Sequence, residues 1–112
     1  MKLKRALAVT VLVLLYAEAS PAAGDPARGL SLYATCGVCH GQKAEGMLAL
    51  NAPALSGLQP WYIVRQLKNF KEGLRGSNPK DTYGVQMAPM AQTLPDEQAM
   101  EDVTAYIQTL GE

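Results

Sequence analysis

Both cysteines and the only histidine of this 112-residue chain stand within five consecutive positions, Cys36-Gly37-Val38-Cys39-His40. Two thiols separated by two residues can add to the two neighbouring vinyl groups on one edge of a porphyrin. The imidazole that follows then reaches the iron from one face, and the pattern is the c-type haem attachment signature. A zinc site needs four ligands, whereas Cys36, Cys39 and His40 are three and the chain has no further Cys or His. A thioredoxin-like redox pair belongs at a strand-to-helix junction, and no strand pattern precedes these residues. A disulfide between Cys36 and Cys39 would close a loop too short to remove much chain entropy. One covalent haem c is therefore the expected cofactor.

The size of the folding unit points the same way. Lys2, Lys4 and Arg5 precede an uncharged run from Ala6 to Ala17, and small residues follow at Ala19, Ser20, Ala22 and Ala23. This is the order of a secretory signal peptide, and the apolar run is too short for the ~20 residues that span a bilayer. The expected division is a signal peptide over 1–22, cleaved after Ala22 (alternatively after Ala19), and one domain over 23–112, exported to the periplasm. Cleavage after Ala22 takes the formal charge from zero to −2, which argues against nucleic acid as a partner. A domain of about 90 residues buries too little apolar surface to be comfortably stable alone, and a cofactor that serves as core supplies the deficit.

Three helices are expected. Asp25-Pro26 combines a favoured N-cap with a favoured first residue and predicts a helix from Pro26 to Cys36 or just beyond, with Leu30, Tyr33 and Ala34 as its apolar stripe. Pro60 opens a second, whose stripe is Ile63, Val64, Leu67, Phe70 and Leu74, ended by Gly73 and Gly76. Its other face, with Arg65, Lys68, Lys71 and Glu72, reads as solvated. Pro95 begins the third, with Ala99, Val103, Tyr106, Ile107 and Leu110 buried. Between them 41–59 and 75–94 are punctuated by Gly and Pro and read as long irregular loops. Such loops are improbable in a small domain unless they wrap a large apolar group.

A single histidine excludes bis-histidine ligation, so any protein ligand on the other face of the iron is of another type. Methionine is the soft donor usual in low-spin electron-transfer haems. Of five methionines, Met1 leaves with the signal, Met47 follows His40 too closely to reach the opposite face easily, and Met100 lies within the last helix. Met87 and Met90 remain, both on the loop that must close over the distal side.

With the motif near the start, Met87-Ala88-Pro89-Met90 in the middle and Ala105-Tyr106-Ile107 in the last helix, the chain resembles the class I cytochromes c, most of all the small domains of bacterial periplasmic cytochromes. The resemblance spans Asp25 to Leu110. It implies an all-α class I fold in which three main helices and long loops wrap one haem. It implies that the first and last helices cross where Gly29 admits Tyr106. It makes Pro53, in Asn51-Ala52-Pro53-Ala54-Leu55-Ser56-Gly57, the carbonyl that accepts from His40. The ligand in such domains lies seven residues before the Leu that precedes the last helix, which selects Met87 over Met90. One departure is Leu94-Pro95-Asp96 where the family often has Leu-Ser-Asp, so a Ser cap is lost.

The function so implied is electron transfer by a His40–Met87 haem, shuttling single electrons between redox protein partners, membrane-bound complexes included, by a monomer that is not itself an enzyme. Lys68, Lys71, Arg75 and Lys80 offer a cationic docking rim, and the acidic run Asp96 to Asp102 an alternative for a partner of opposite charge. Two alternatives stand beside this reading. One is a haem subunit held by a larger oxidoreductase. The other is a ligand-binding haem with an open sixth position, against whose use in peroxidase chemistry the lack of a second histidine counts.

Overall fold

The computed structural model describes residues 11–15 and 23–111; Ala19 and Ala22, with their expected cleavage sites, lie outside them. The described residues form four helices: α1 Pro26–His40, α2 Pro60–Lys71, α3 Thr82–Gln92 and α4 Glu97–Leu110. A single 3-10 turn, Leu48–Leu50, lies between α1 and α2, and the only sheet-like pairing among the described residues is an isolated bridge between Met47 and Ala52.

The helix starts follow from their caps. Asp25 accepts from the Ala27 N–H at 2.8 Å with Pro26 in the first position, and α1 then runs through the whole Cys36–His40 motif. α4 starts two residues later than its proline suggested. Pro95 lies outside the helix, and the Asp96 carboxylate caps it by accepting from Ala99 N–H at 2.8 Å, so no cap is missing. α3 is a correction: part of the stretch read as irregular loop is an eleven-residue helix. The Asp81 carboxylate caps it by accepting from Gly84 N–H, and Pro89 sits inside it without ending it. α3 packs on α2, and that tertiary support offsets the missing Pro89 N–H.

The buried faces also differ in part from the expected stripes. On α1 the buried positions are Gly29, Tyr33, Gly37 and His40, whereas Leu30 and Ala34 are exposed. The closest contact with α4 is made by bare backbone at Gly29, which no hydropathy pattern records. A Cβ on Gly29 would lie 2.0 Å from the Asp102 carbonyl oxygen and 2.7 Å from Tyr106 Cβ, so the expected close approach of these two helices is present. Leu74 is exposed because α2 has already ended at Lys71. The core consists of Tyr33, Ala44, Ile63, Leu94, Ala99, Met100, Val103 and Ile107.

One carboxylate ties the crossing together. Asp102 is buried and accepts from Asp25 N–H (2.8 Å), Arg28 Nε–H (2.9 Å) and Gln98 Nε2–H (3.0 Å). The Arg28 hydrogen bond, seconded by the Asp25 N–H, holds its carboxyl down at about 2. Asp102 is therefore not available as part of an acidic docking run. Three of the four members of the expected cationic rim have partners: Lys68 pairs with Glu97, Lys71 donates to the Leu94 carbonyl, and Arg75 donates to Gln66 and lies over the Phe70 ring, while Lys80 is exposed.

Candidate haem site

The last turn of α1 presents the motif. Cys36 and Cys39, three apart, lie on one flank of the helix, and both are free thiols. Cys36 is half-buried with Sγ 3.8 Å from the Leu32 carbonyl, and burial pushes its thiol pKa up; Cys39 is exposed. His40 closes the helix and is itself buried.

The imidazole is oriented by the following loop. His40 Nδ1 stands 2.7 Å from the Pro53 carbonyl oxygen. A carbonyl can only accept, so Nδ1 carries a proton, and in the neutral imidazole Nε2 then holds the lone pair. That tautomer leaves Nε2 as the nitrogen able to coordinate iron. Gly46 N–H donates to the His40 carbonyl at 2.7 Å, and Met47 and Ala52 exchange backbone bonds at 2.9 and 3.1 Å. Gly46 has φ +83, and a Cβ there would stand 2.6 Å from Ala54 N and 3.0 Å from the Pro53 carbonyl carbon. Only glycine lets the loop fold back far enough to bring Pro53 to the histidine.

The structure thus brings together Cys36, Cys39, His40 and Pro53. Met87 and Met90 lie apart from them on α3, Met87 half-buried and Met90 42 % exposed. Met47 belongs to the segment paired with Ala52, beside Pro53 and so on the histidine's own side, and Met100 is sealed in the core. Sequence reasoning treated Tyr33 as core only and passed over Ala44. In the structure the Tyr33 hydroxyl donates to the Gly41 carbonyl at 2.7 Å, and the fully buried Ala44 accepts from Leu55 and Ser56 through its own carbonyl.

The residues fit a covalent haem. The donor set is two thiols at thioether spacing and one imidazole in the coordinating tautomer. The polypeptide also leaves much apolar surface uncovered, with Leu48 91 %, Leu74 74 % and Val38 67 % exposed, and Trp61 and Leu50 about half exposed. When bound, haem supplies a one-electron iron couple; the chain's part is to hold it covalently, fix the imidazole and set the surroundings of the iron.

These features define a c-type haem protein, and comparison with known sequences agrees. The cytochrome c family model matches residues 26–111. Cytochrome c-554(547) of Halothiobacillus neapolitanus is 41 % identical over 93 residues, covering 79 % of this chain and 99 % of that protein. Cytochrome c4 of Thiocapsa roseopersicina is 37 % identical over 92 residues, 81 % of this chain but 43 % of its own length. A protein named thiosulfate dehydrogenase electron acceptor, from Stutzerimonas stutzeri strain A1501, is 39 % identical over 75 residues, 67 % of this chain and 31 % of its own. The chain therefore spans less than half of these two longer relatives and nearly all of the c-554(547). It belongs to the cytochrome c family, as a class I c-type cytochrome with covalent haem c, an electron carrier rather than an enzyme.

Proposed function

We propose that this chain shuttles single electrons between redox proteins through a six-coordinate haem c, attached at Cys36 and Cys39 and ligated by His40 and Met87. The observation that carries the reading is the 2.7 Å approach of His40 Nδ1 to the Pro53 carbonyl, which presents Nε2 for coordination and raises its basicity. Met87 is supported by elimination, by its half-buried place on α3 and by its spacing to Leu94, with Met90 the more exposed neighbour. The likeness to the electron acceptor of a thiosulfate dehydrogenase supports an oxidoreductase as electron donor, with a second redox protein downstream.

Cytochromes of this kind are typically exported, and the proposed location is the periplasm after cleavage of residues 1–22. Gly24 packs against the Glu101 carbonyl and Asp25 N–H donates to Asp102, so both residues belong to the folded domain, as a cut after Ala22 or after Ala19 requires. The ligand assignment is tested by absorption spectroscopy of the ferric holoprotein. Met87→Ala abolishes the methionine-to-iron charge-transfer band, lowers the midpoint potential and admits external ligands, while Met90→Ala keeps the band. The opposite pattern transfers the ligand to Met90, and a band unchanged in both removes methionine ligation by either.

A further inference from the structure

We propose that the Tyr33 hydroxyl is a positioning group for the His40 imidazole, acting through the backbone of the loop that carries Pro53. The inference rests on His40 and Pro53 having the roles just given. Tyr33 lies two turns before His40 on α1, and its buried hydroxyl donates to the Gly41 carbonyl at 2.7 Å. The same oxygen accepts from Ala44 N–H at 3.1 Å. Ala44 is fully buried with a left-handed φ of +54°, and its carbonyl accepts from both Leu55 N–H (2.9 Å) and Ser56 N–H (3.0 Å). Those two amides immediately follow Pro53-Ala54, and the Pro53 carbonyl receives His40 Nδ1–H. A continuous series of bonds thus runs from the Tyr33 hydroxyl through the 41–44 turn to the group that fixes the imidazole.

Packing alone does not account for the hydroxyl. The Tyr33 ring meets the Tyr106 ring with centroids 5.4 Å apart, a contact that phenylalanine would make equally well. Burying a hydroxyl costs stability unless it is hydrogen-bonded, so its use here is in the bond it makes. Burial also pushes the phenol up to about 12, which keeps it a donor at neutral and moderately alkaline pH. Gly41, with φ +88, terminates α1, and without the hydroxyl its carbonyl is held from the turn side only.

The test uses the ferrous haem-loaded protein and its Tyr33→Phe variant, with hydrogen exchange followed by NMR at His40 Nδ1–H, at the Leu55 and Ser56 amides, and at the Val103 and Ile107 amides of α4. In Tyr33→Phe the ring proton and the two loop amides exchange about fivefold faster, the effect of one net hydrogen bond, while the α4 amides keep their rates. The midpoint potential rises, because a more loosely held Nδ1–H makes the imidazole a poorer donor to ferric iron. Tyr106→Phe, which retains the Tyr33 hydroxyl, changes neither the ring proton nor the potential. An unchanged Nδ1–H rate and potential in Tyr33→Phe overturns the inference, as does an acceleration shared equally by the α4 amides, which marks a merely global loss of stability. Absence of haem-shifted His40 ring resonances in the unsubstituted protein overturns the ligand assignment itself, a result distinct from either.

Discussion

Replacing Gly29 by alanine sets helix propensity against helix crossing. Alanine is favoured over glycine inside a helix by ~1 kcal/mol, so α1 considered alone gains stability. Against α4, however, the new Cβ would stand 2.0 Å from the Asp102 carbonyl oxygen, 2.7 Å from the carbonyl carbon and 2.7 Å from Tyr106 Cβ. Ordinary contact begins near 3.4 Å, so the crossing has to open by about 1.4 Å. No flexible side-chain tip can yield, because the nearest atoms are backbone. Overpacking of this kind typically costs ~1–3 kcal/mol, and a backbone-on-backbone clash belongs at the upper end. The net expectation is a loss of about 2 kcal/mol. For a domain of this size that lowers the thermal midpoint by roughly 8–16 °C. Thermal and guanidinium unfolding of the holoprotein, followed by far-UV circular dichroism, measures it, with Ser31→Ala on the exposed face of α1 as the reference for propensity alone. If Gly29→Ala matched or exceeded the stability of the unsubstituted protein, the close crossing would be refuted as a determinant of the fold.

Three further outcomes follow from individual groups. The Asp102 carboxyl, held near 2 in the folded protein against an ordinary 3.8, contributes about 2 kcal/mol that is fully present above pH 3.8 and is lost as pH falls through 2. Asp102→Asn removes that contribution at neutral pH and flattens the acid limb of a stability-versus-pH curve; an unchanged limb would show that the carboxylate is not the hub described. Thr104 is buried and its hydroxyl has no hydrogen-bond partner among the described residues, so Thr104→Val raises stability by about 1 kcal/mol in chemical denaturation, and a decrease would reveal a partner bond. Changing both Cys36 and Cys39 to alanine leaves a largely unfolded apoprotein, because about 90 residues bury too little apolar area unaided. A cooperative, helical apoprotein of native-like stability would contradict that.

Local chemistry is what the sequence made legible. The cysteine–histidine motif, the Asp25-Pro26 start of α1 and the Pro60 start of α2 depend on neighbours in the chain, and each stands where its residues indicate. The close approach at Gly29 and the Pro53 carbonyl at His40 were legible only through resemblance, since partners 73 and 13 positions away leave no periodic trace. α3 was hidden because Gly84 and Pro89 are both helix breakers by propensity. Gly84 is needed there nonetheless: a Cβ would strike the Asp81 carboxylate that caps the helix, and Gly76 packs against the Gly84 carbonyl. Asp102 and the lysines of α2 illustrate the reverse error, in which charges that look free along the chain prove to be committed in the fold.

The two faces of the proposed haem site are held by different physical means. On the histidine side the imidazole bonds to the Pro53 carbonyl, and the loop that carries Pro53 is held by backbone hydrogen bonds and a glycine-dependent close contact within residues 40–56, joined to the α1–α4 crossing by Tyr33. The imidazole is therefore fixed by short-range geometry that forms with the helix end itself. On the methionine side Met87 rides on a helix whose hydrogen-bond ladder is interrupted at Pro89. That helix is anchored to α2 by the Gln92–Lys71 hydrogen bond and the Lys71–Leu94 bond just beyond its end, and to the segment after α2 by the Gly76–Gly84 contact. Because interactions at the helix end and the loop fix one ligand while the packing of a whole helix fixes the other, the proposed methionine ligation responds to changes in α2–α3 packing that leave His40 in place. On the proposed ligation, substitutions at that packing are expected to act on the potential through α3, and loss of the Tyr33 hydroxyl to act through the histidine.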